Sequence, residues 1–213
     1  MCKLKDLQKA SRLAVTAFIF LSCVLSCSSE PMKEVAPPSD NTSIEVKPPY
    51  DRLIEHYSNG DVEYSGLYNN FEYKATIRNS VVRDALIQTQ TQYYQWDHAK
   101  AATEREKTNI ELASETQVFV SFYTPDRHND NLADAKTIWQ IYLDVGGRRY
   151  EGKAKRVKSL LAELQTLYPY HSRWNSPYMV TFSIPTSAIE TQVSTFTITG
   201  PLGTRAVKFS AIR

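Results

Sequence analysis

The chain has 213 residues, with 25 basic and 23 acidic side chains and a formal net charge of only +2. This balance excludes both a strongly basic surface for nucleic acid and a polyacidic tail, so we expect no nucleic-acid partner. The three cysteines, Cys2, Cys23 and Cys27, all lie near the amino terminus. The remainder of the chain therefore has no disulfide and no thiolate metal site, and its stability must come from a packed core.

A secretory signal peptide is predicted over residues 1–26. Basic residues between Lys3 and Arg12 precede an apolar run at residues 13–25. That run is too short for a permanent membrane span, because a helix needs about 20 residues to cross the hydrocarbon core of a bilayer. Positive charge followed by a short apolar run is typical of a signal that is removed on export.

The end of this segment, Val24-Leu25-Ser26-Cys27, resembles the lipobox of bacterial lipoproteins. The resemblance implies cleavage after Ser26 and attachment of a diacylglycerol to the thiol of Cys27, which becomes the lipidated, palmitate-bearing amino terminus. Cysteine suits this chemistry because its thiolate is a good nucleophile at modest pH. Ser28 stands where an aspartate tends to retain lipoproteins in the inner membrane, so the resemblance implies an outer-membrane location in a diderm bacterium.

Two alternatives to this processing site remain open. Cys23, which follows Phe20-Leu21-Ser22, is a second candidate for lipidation. An ordinary signal peptide that happens to contain cysteines is the other alternative. If cleavage does precede Cys27, the mature chain keeps 21 basic and 22 acidic side chains, and its charge is close to neutral.

Residues 27–50 are predicted to be the lipidated cysteine and a proline-rich tether. Their composition shifts to Pro, Ser, Glu, Lys and Asn, with proline pairs at 37–38 and 48–49. Such a segment lacks the large apolar groups that a core requires. Paired prolines favour an extended polyproline geometry, so some 20 residues could hold a domain up to ~60 Å from the lipid. Residues 51–213 then form a single folded domain.

Alternating apolar and polar residues predict that this domain consists mostly of β-strands. The alternating positions fall within residues 71–77, 118–122, 139–145, 178–184, 196–198 and 207–209. Gly146-Gly147 predicts a tight hairpin turn into a strand at 148–155, because glycine accepts the positive φ values of a type I′ turn. Pro201-Leu202-Gly203 predicts a second turn before a closing strand at 205–211. The architecture resembles a mainly β, immunoglobulin-like antiparallel β-sandwich, without the cysteine pair of antibody domains.

One long α-helix is predicted to interrupt the strands, at about residues 80–109, with Ser80 as its cap. Its first half has apolar residues at helical spacing, whereas its second half, from Lys100 to Lys107, is nearly all charged or small. The second half is interpreted as a solvated helix end, with a partner-binding arm as the alternative. A shorter helical turn is predicted at 159–167.

No motif for catalysis or for metal binding is found. The four histidines are scattered without metal-ligand spacing, and no glycine-flanked nucleophilic serine or glycine-rich phosphate loop is present. We therefore predict no catalytic residues, no metal site and no cofactor. The polar loop at 126–134 contains the oxygen donors that calcium prefers, but a plain connecting loop is the favoured interpretation.

Two surface segments remain as candidates for binding. Six basic residues between 148 and 158 form a ribbon that could meet lipid phosphate or an acidic partner, although a charged strand edge is favoured. The segment around Tyr168, Tyr170, Arg173 and Trp174 is the most aromatic in the chain and is the predicted binding site. Half-buried aromatic residues at the end of a sandwich are the alternative.

These features predict a membrane-anchored envelope lipoprotein that acts as a noncatalytic binding or structural module. Its expected partners are the membrane, through the lipid anchor, and an envelope protein or glycan. The alternative function is that of a small envelope hydrolase or glycan-processing enzyme, which would need a pocket with two converging titratable groups.

Overall fold

The computed structural model describes residues 49–212, so the predicted signal peptide, Cys27 and all but the last two residues of the tether lie outside it. The helices are α1 (Pro49–His56), α2 (Ser80–Tyr94), α3 (His98–Ser114), α4 (Leu161–Leu167) and α5 (Thr186–Glu190). The strands are β1 (Ser58–Ser65), β2 (Tyr68–Ile77), β3 (Thr116–Tyr123), β4 (Gln140–Val145), β5 (Arg148–Glu151), β6 (Lys153–Arg156), β7 (Ser176–Phe182), β8 (Ser194–Gly200) and β9 (Gly203–Phe209).

The strands form two antiparallel sheets, one in the order β1-β2-β3-β7-β6 and the other in the order β5-β4-β8-β9. One hydrophobic core takes side chains from both sheets, among them Phe71, Phe122, Leu143 and Phe196. These positions are the alternating apolar residues, because successive side chains of a strand point to opposite faces. Helix accounts for 34% and strand for 37% of the structure, so the prediction of a mainly β fold is only partly correct.

The predicted turn at Gly146-Gly147 is confirmed. Val145 pairs with Arg148 across it, and the two glycines have φ values of 56° and 76°. The strand predicted at 148–155 is instead two strands, because β5 belongs to the four-stranded sheet and β6 to the five-stranded sheet. Gly152 lies between them, and a Cβ atom there would stand 2.6 Å from Val180 Cγ1. The chain therefore crosses from one sheet to the other at a residue that must lack a side chain.

The single long helix predicted at 80–109 is wrong, because two helices occupy residues 80–114. Gln95 ends α2 in the left-handed region with φ 51°, although no glycine marks the position. Asp97 then caps α3 by accepting a hydrogen bond from the backbone N–H of Lys100. The cap of α2 is Asn79 rather than Ser80, since the Asn79 side chain accepts from the N–H of Val82.

The helices α1, α2 and α4 cover the face of the five-stranded sheet that points away from the shared core. Ile54, Val82, Leu86 and Leu164 form a second hydrophobic cluster there with Phe119 of β3 and with Tyr168. This helix layer explains why Phe119 is buried although its strand neighbours Val118 and Val120 face the opposite core. Alternation of apolar and polar residues predicts one buried face per strand, whereas β3 buries both faces.

Helix α3 lies against α2 without burying any of its own residues. Ion pairs join Arg83 to Glu111 at 2.6 Å and Asp84 to Arg105 at 3.5 Å, so the two helices run antiparallel. Among residues 49–212, no helix is long and apolar enough to cross a membrane.

Candidate functional site

A groove of about 720 Å³ opens on the helix side of the β1–β2 edge, where no helix covers the sheet. It is bounded by α1, by the two edge strands and by the loop that precedes β7. The lining residues are Glu55, Ser58, Asn59, Gly60, Asp61, Val62, Glu72, Tyr73, Lys74, Tyr170, Ser172 and Asn175.

The pleat of β1 and β2 determines which side chains form the floor of the groove. Phe71 and Tyr73 point into the shared core, so Glu72 and Lys74 point to the opposite, helix-side face of β2. Lys74 pairs with Gly60 of β1, where a Cβ atom would stand 2.5 Å from the carbonyl oxygen of Tyr73. The missing side chain at Gly60 lets the chain approach β2 closely and leaves the floor open.

Tyr170 forms one wall, and a chain of hydroxyl groups fixes it in place. Ser58 Oγ donates to the carbonyl oxygen of Ile54 at 2.5 Å, because a carbonyl oxygen can only accept. The Thr76 hydroxyl, 2.6 Å from Ser58, must then donate to Ser58, and the Tyr170 hydroxyl must donate to Thr76. Burial raises the pKa of Tyr170, so its hydroxyl keeps the proton that it donates.

The polar groups around this wall are both acidic and basic. The ammonium group of Lys74 lies 4.9 Å from the centroid of the Tyr170 ring, as a cation–π contact. Ser172 donates to Asn175 Oδ1 at 2.5 Å, which orders the loop that contributes both residues. Hydroxyl, amide, carboxylate and ammonium groups beside an aromatic ring can hydrogen-bond and pack against a polar ligand without any covalent step.

The structure separates the four residues of the predicted aromatic binding site. Tyr168 is buried in the helix layer, where its ring stacks on Phe119 with centroids 3.6 Å apart, so it cannot contact a ligand at the surface. Tyr170 lines the groove. Arg173 and Trp174 lie at the surface in the same loop, with Trp174 63% exposed and the Arg173 guanidinium 5.7 Å from its ring.

The polar loop at 126–134 does not bring its carboxylates together. Asp126 accepts from the backbone N–H of His128, and Asp134 accepts from that of Lys136. Asp130 points inward, where it binds Ser176 and accepts from the Tyr178 hydroxyl at 3.0 Å. Within residues 49–212, no three His, Cys, Asp or Glu side chains are grouped as a metal site would require.

The basic ribbon is divided between the two sheets. Arg149 of β5 forms a bidentate ion pair with Asp144, in which Nε donates to Oδ1 at 2.8 Å and Nη2 donates to Oδ2 at 2.9 Å. Arg156 of β6 points to the core side, donating to Ser176 at 2.8 Å, with Asp130 3.7 Å away. On the helix side, Lys155 and Lys158 instead line a smaller groove of about 440 Å³ with Val157 and Met179.

Sequence reasoning missed a contact between a serine and a histidine. Ser121 Oγ lies 2.8 Å from Nδ1 of His171, the distance expected of a nucleophile and its base. Ser121 has no exposed surface, however, and His171 is only 3% exposed. The pair therefore stabilises the contact between β3 and the loop before β7, and a substrate cannot reach the serine oxygen in this arrangement.

No pattern in the sequence predicts that an arginine is buried in the helix layer. Arg83 is 3% exposed, and its Nη1 atom donates to Glu111 at 2.6 Å. Burial and the neighbouring Arg78 lower the pKa of Arg83, while Glu111 opposes that shift. The pair connects α2 to α3 where the apolar surface of α3 is insufficient to do so.

Comparison with known proteins gives no further assignment: no family model, no curated protein and no solved structure matches the chain significantly.

Proposed function

We propose that this protein is a bacterial envelope lipoprotein, lipidated at Cys27 and held at the outer membrane, whose folded domain binds a polar envelope component without catalysis. The groove beside Tyr170 is the observation that carries the binding role. Its volume of about 720 Å³ falls in the range of small-molecule sites. The glycan strands of the envelope are the ligand class that its hydroxyl, amide and carboxylate lining suits.

We further propose that the two sheets form a β-sandwich of immunoglobulin-like type. Side chains from both sheets meet in one core, and the chain crosses between the sheets at Gly152. Both features are typical of sandwiches built from antiparallel sheets. Edge loops and edge strands of such domains commonly carry the binding site, which agrees with the position of the groove at the β1–β2 edge.

The alternative of an envelope hydrolase has less support. Three carboxylates, Glu55, Asp61 and Glu72, line the groove, and paired carboxylates are the groups that glycan-processing enzymes use. Asp61 and Tyr73 are paired across the strands, however, and Asp61 lies 3.8 Å from Arg205 on the core side, whereas Glu72 points to the helix side. Asp61 and Glu72 thus do not face one substrate from opposite sides.

Labelling with radioactive palmitate tests the anchoring. We expect the label to enter the wild-type protein, and Cys27→Ser to abolish it and move the protein from the membrane to the soluble fraction. Cys23→Ser is the matched control and keeps the label. Loss of label in Cys23→Ser instead would place the processing site at Cys23, and label in neither wild type nor variants would refute the lipoprotein assignment.

Sedimentation with purified peptidoglycan sacculi tests the binding role. We expect the mature protein to sediment with the sacculi and Lys74→Ala to weaken this at least fivefold, since Lys74 lines the groove beside Tyr170. Lys208→Ala, on the exposed face of β9, is the control and retains binding. Release of sugar fragments from the sacculi would favour the hydrolase, and equal binding by both variants would refute the groove as the site.

A further inference from the structure

We propose that the helix side of the domain carries a docking face for an anionic lipid bilayer, so that the anchored domain rests on its membrane. The face consists of Tyr93, Tyr94 and Trp96 at the α2–α3 turn, Leu160 and Leu161 at the start of α4, and Lys155 and Lys158 beside them. This inference rests on the proposed lipid anchor and adds an orientation to it.

The apolar part of the face is exposed although its side chains are large. Tyr93 is 54% exposed and Leu160 is 79% exposed, and Tyr94 and Leu161 are also at the surface. Tyrosine and tryptophan are enriched where protein meets the boundary between lipid headgroups and acyl chains, because their rings are apolar at one end and polar at the other. An exposed leucine side chain beside such rings buries no apolar surface in water, whereas it can bury that surface at the lipid boundary.

Contacts hold these residues together as one surface. The Tyr94 ring stacks near Trp96, with centroids 5.8 Å apart, and Tyr93 meets Tyr94 edge to face. The hydroxyl of Tyr94 donates to Glu163 of α4, which ties the α2–α3 turn to the helix that begins at Leu161. The two apolar groups therefore adjoin and cannot be separate patches on opposite sides of the domain.

The basic part of the face is next to Leu160 in the chain and on the same side of the sheet. Lys155 is paired with Met179, which packs against the helix-layer cluster, so Lys155 points to the helix side. Among residues 49–212, neither Lys155 nor Lys158 has an ion-pair partner, whereas Arg149 and Arg156 do. Apart from Arg156, which points to the core side, residues 153–163 contain three basic residues and one acidic residue. Such a cluster is complementary to anionic headgroups.

The place where the tether meets the domain supports the lipid surface as the partner. The Tyr50 hydroxyl donates to the carbonyl oxygen of Leu167 at 2.7 Å, so the chain enters at the far end of α4. Helix α4 has 7 residues, which is roughly 10 Å along its axis. About 20 residues separate Cys27 from Pro49 and reach at most ~70 Å. A lipid at Cys27 therefore keeps the docking face close to the bilayer at high effective concentration.

A fluorescent label at Leu160 tests the docking directly. Acylation consumes the thiol of Cys27, and residues 28–213 contain no cysteine, so Leu160→Cys gives the mature lipoprotein a single labelling site. We expect an environment-sensitive fluorophore there to shift to the blue when the lipidated protein is placed on phosphatidylcholine vesicles containing one third phosphatidylglycerol. Ala206→Cys, exposed on β9, is the matched label position and shows no shift.

Charge reversal then tests the basic part. We expect Lys155→Glu/Lys158→Glu to reduce docking on the anionic vesicles more than tenfold, since each lysine near an anionic surface contributes a factor of about five. Lys136→Glu/Lys208→Glu carries the same change in charge away from the helix layer and keeps the shift. Vesicles of phosphatidylcholine alone should give a weak shift in every variant.

The outcomes separate docking from anchoring. A protein that floats with vesicles while its Leu160 label stays in water, or matches the Ala206 label, overturns the docking face and leaves the anchor intact. A protein that does not float refutes the anchor and the inference with it. A shift without vesicles that grows with protein concentration would assign the face to a second copy of the chain and would also overturn the inference.

Discussion

Tyr168 and Trp174 differ in their surroundings although both belong to the predicted aromatic segment. Tyr168 is 4% exposed and stacks on Phe119, whereas Trp174 is 63% exposed. We expect Tyr168→Ala to lower the free energy of unfolding by about 3 kcal/mol or more, and Trp174→Ala by less than about 1 kcal/mol. Urea denaturation of both variants checks this. A Trp174 variant as unstable as the Tyr168 variant would place Trp174 in the core.

The hydroxyl chain beneath the groove leads to a second prediction at this scale. Ser58→Ala removes the acceptor of the fully buried Thr76 hydroxyl and should cost about 1–3 kcal/mol. Tyr170→Phe removes only a donor, leaves Thr76 able to donate to Ser58, and should cost about 1 kcal/mol. Urea denaturation measures both, and the reverse order of stability would show that the hydrogen bonds run the other way.

At the scale of elements, Gly152 decides how the chain passes from one sheet to the other. A Cβ atom there would lie 2.6 Å from Val180 Cγ1 and 2.7 Å from Phe182 Cε1, both in the packed core. We expect Gly152→Ala to lower the free energy of unfolding by about 1–3 kcal/mol, because neither neighbour has room to move. Gly147→Asn, at a turn glycine with open space around it, is the control and should cost much less.

The strands that bury one face could be predicted from the sequence, because apolar residues on the buried face alternate with polar residues on the exposed face. β1 could not, since none of its residues is buried and it therefore has no apolar face to detect. The break between α2 and α3 could not be predicted either. Gln95 adopts a left-handed conformation without glycine, and the one local signal is Asp97, a good helix cap in front of α3.

At the scale of the whole molecule, the groove shows why a binding site is harder to predict than a fold. Its residues come from α1, from two strands and from a loop, and the hydrogen-bonded pair Thr76 and Tyr170 is 94 positions apart in the chain. The aromatic composition of residues 168–178 drew attention to Tyr170, which lines the groove; its role in binding stays a prediction. No local pattern marks Ser58, Gly60 or Lys74, whose roles depend on the pairing of β1 with β2.

The stability of the whole domain should depend on pH through His171. Burial lowers the pKa of His171 below its ordinary value of 6.5, so the unfolded chain takes up a proton at a higher pH than the folded one. As the pH falls from about 7.5 through 6.5 towards the lowered pKa, the free energy of unfolding should therefore decrease, and below that pKa this group should cause no further loss. Urea denaturation of the wild type between pH 8 and pH 5.5 measures the decrease. We expect His171→Gln to remove this loss of stability at low pH. The control His98→Gln, at an exposed position, should retain it. An unchanged pH dependence in His171→Gln would mean that His171 is as readily protonated in the folded domain as in the unfolded chain.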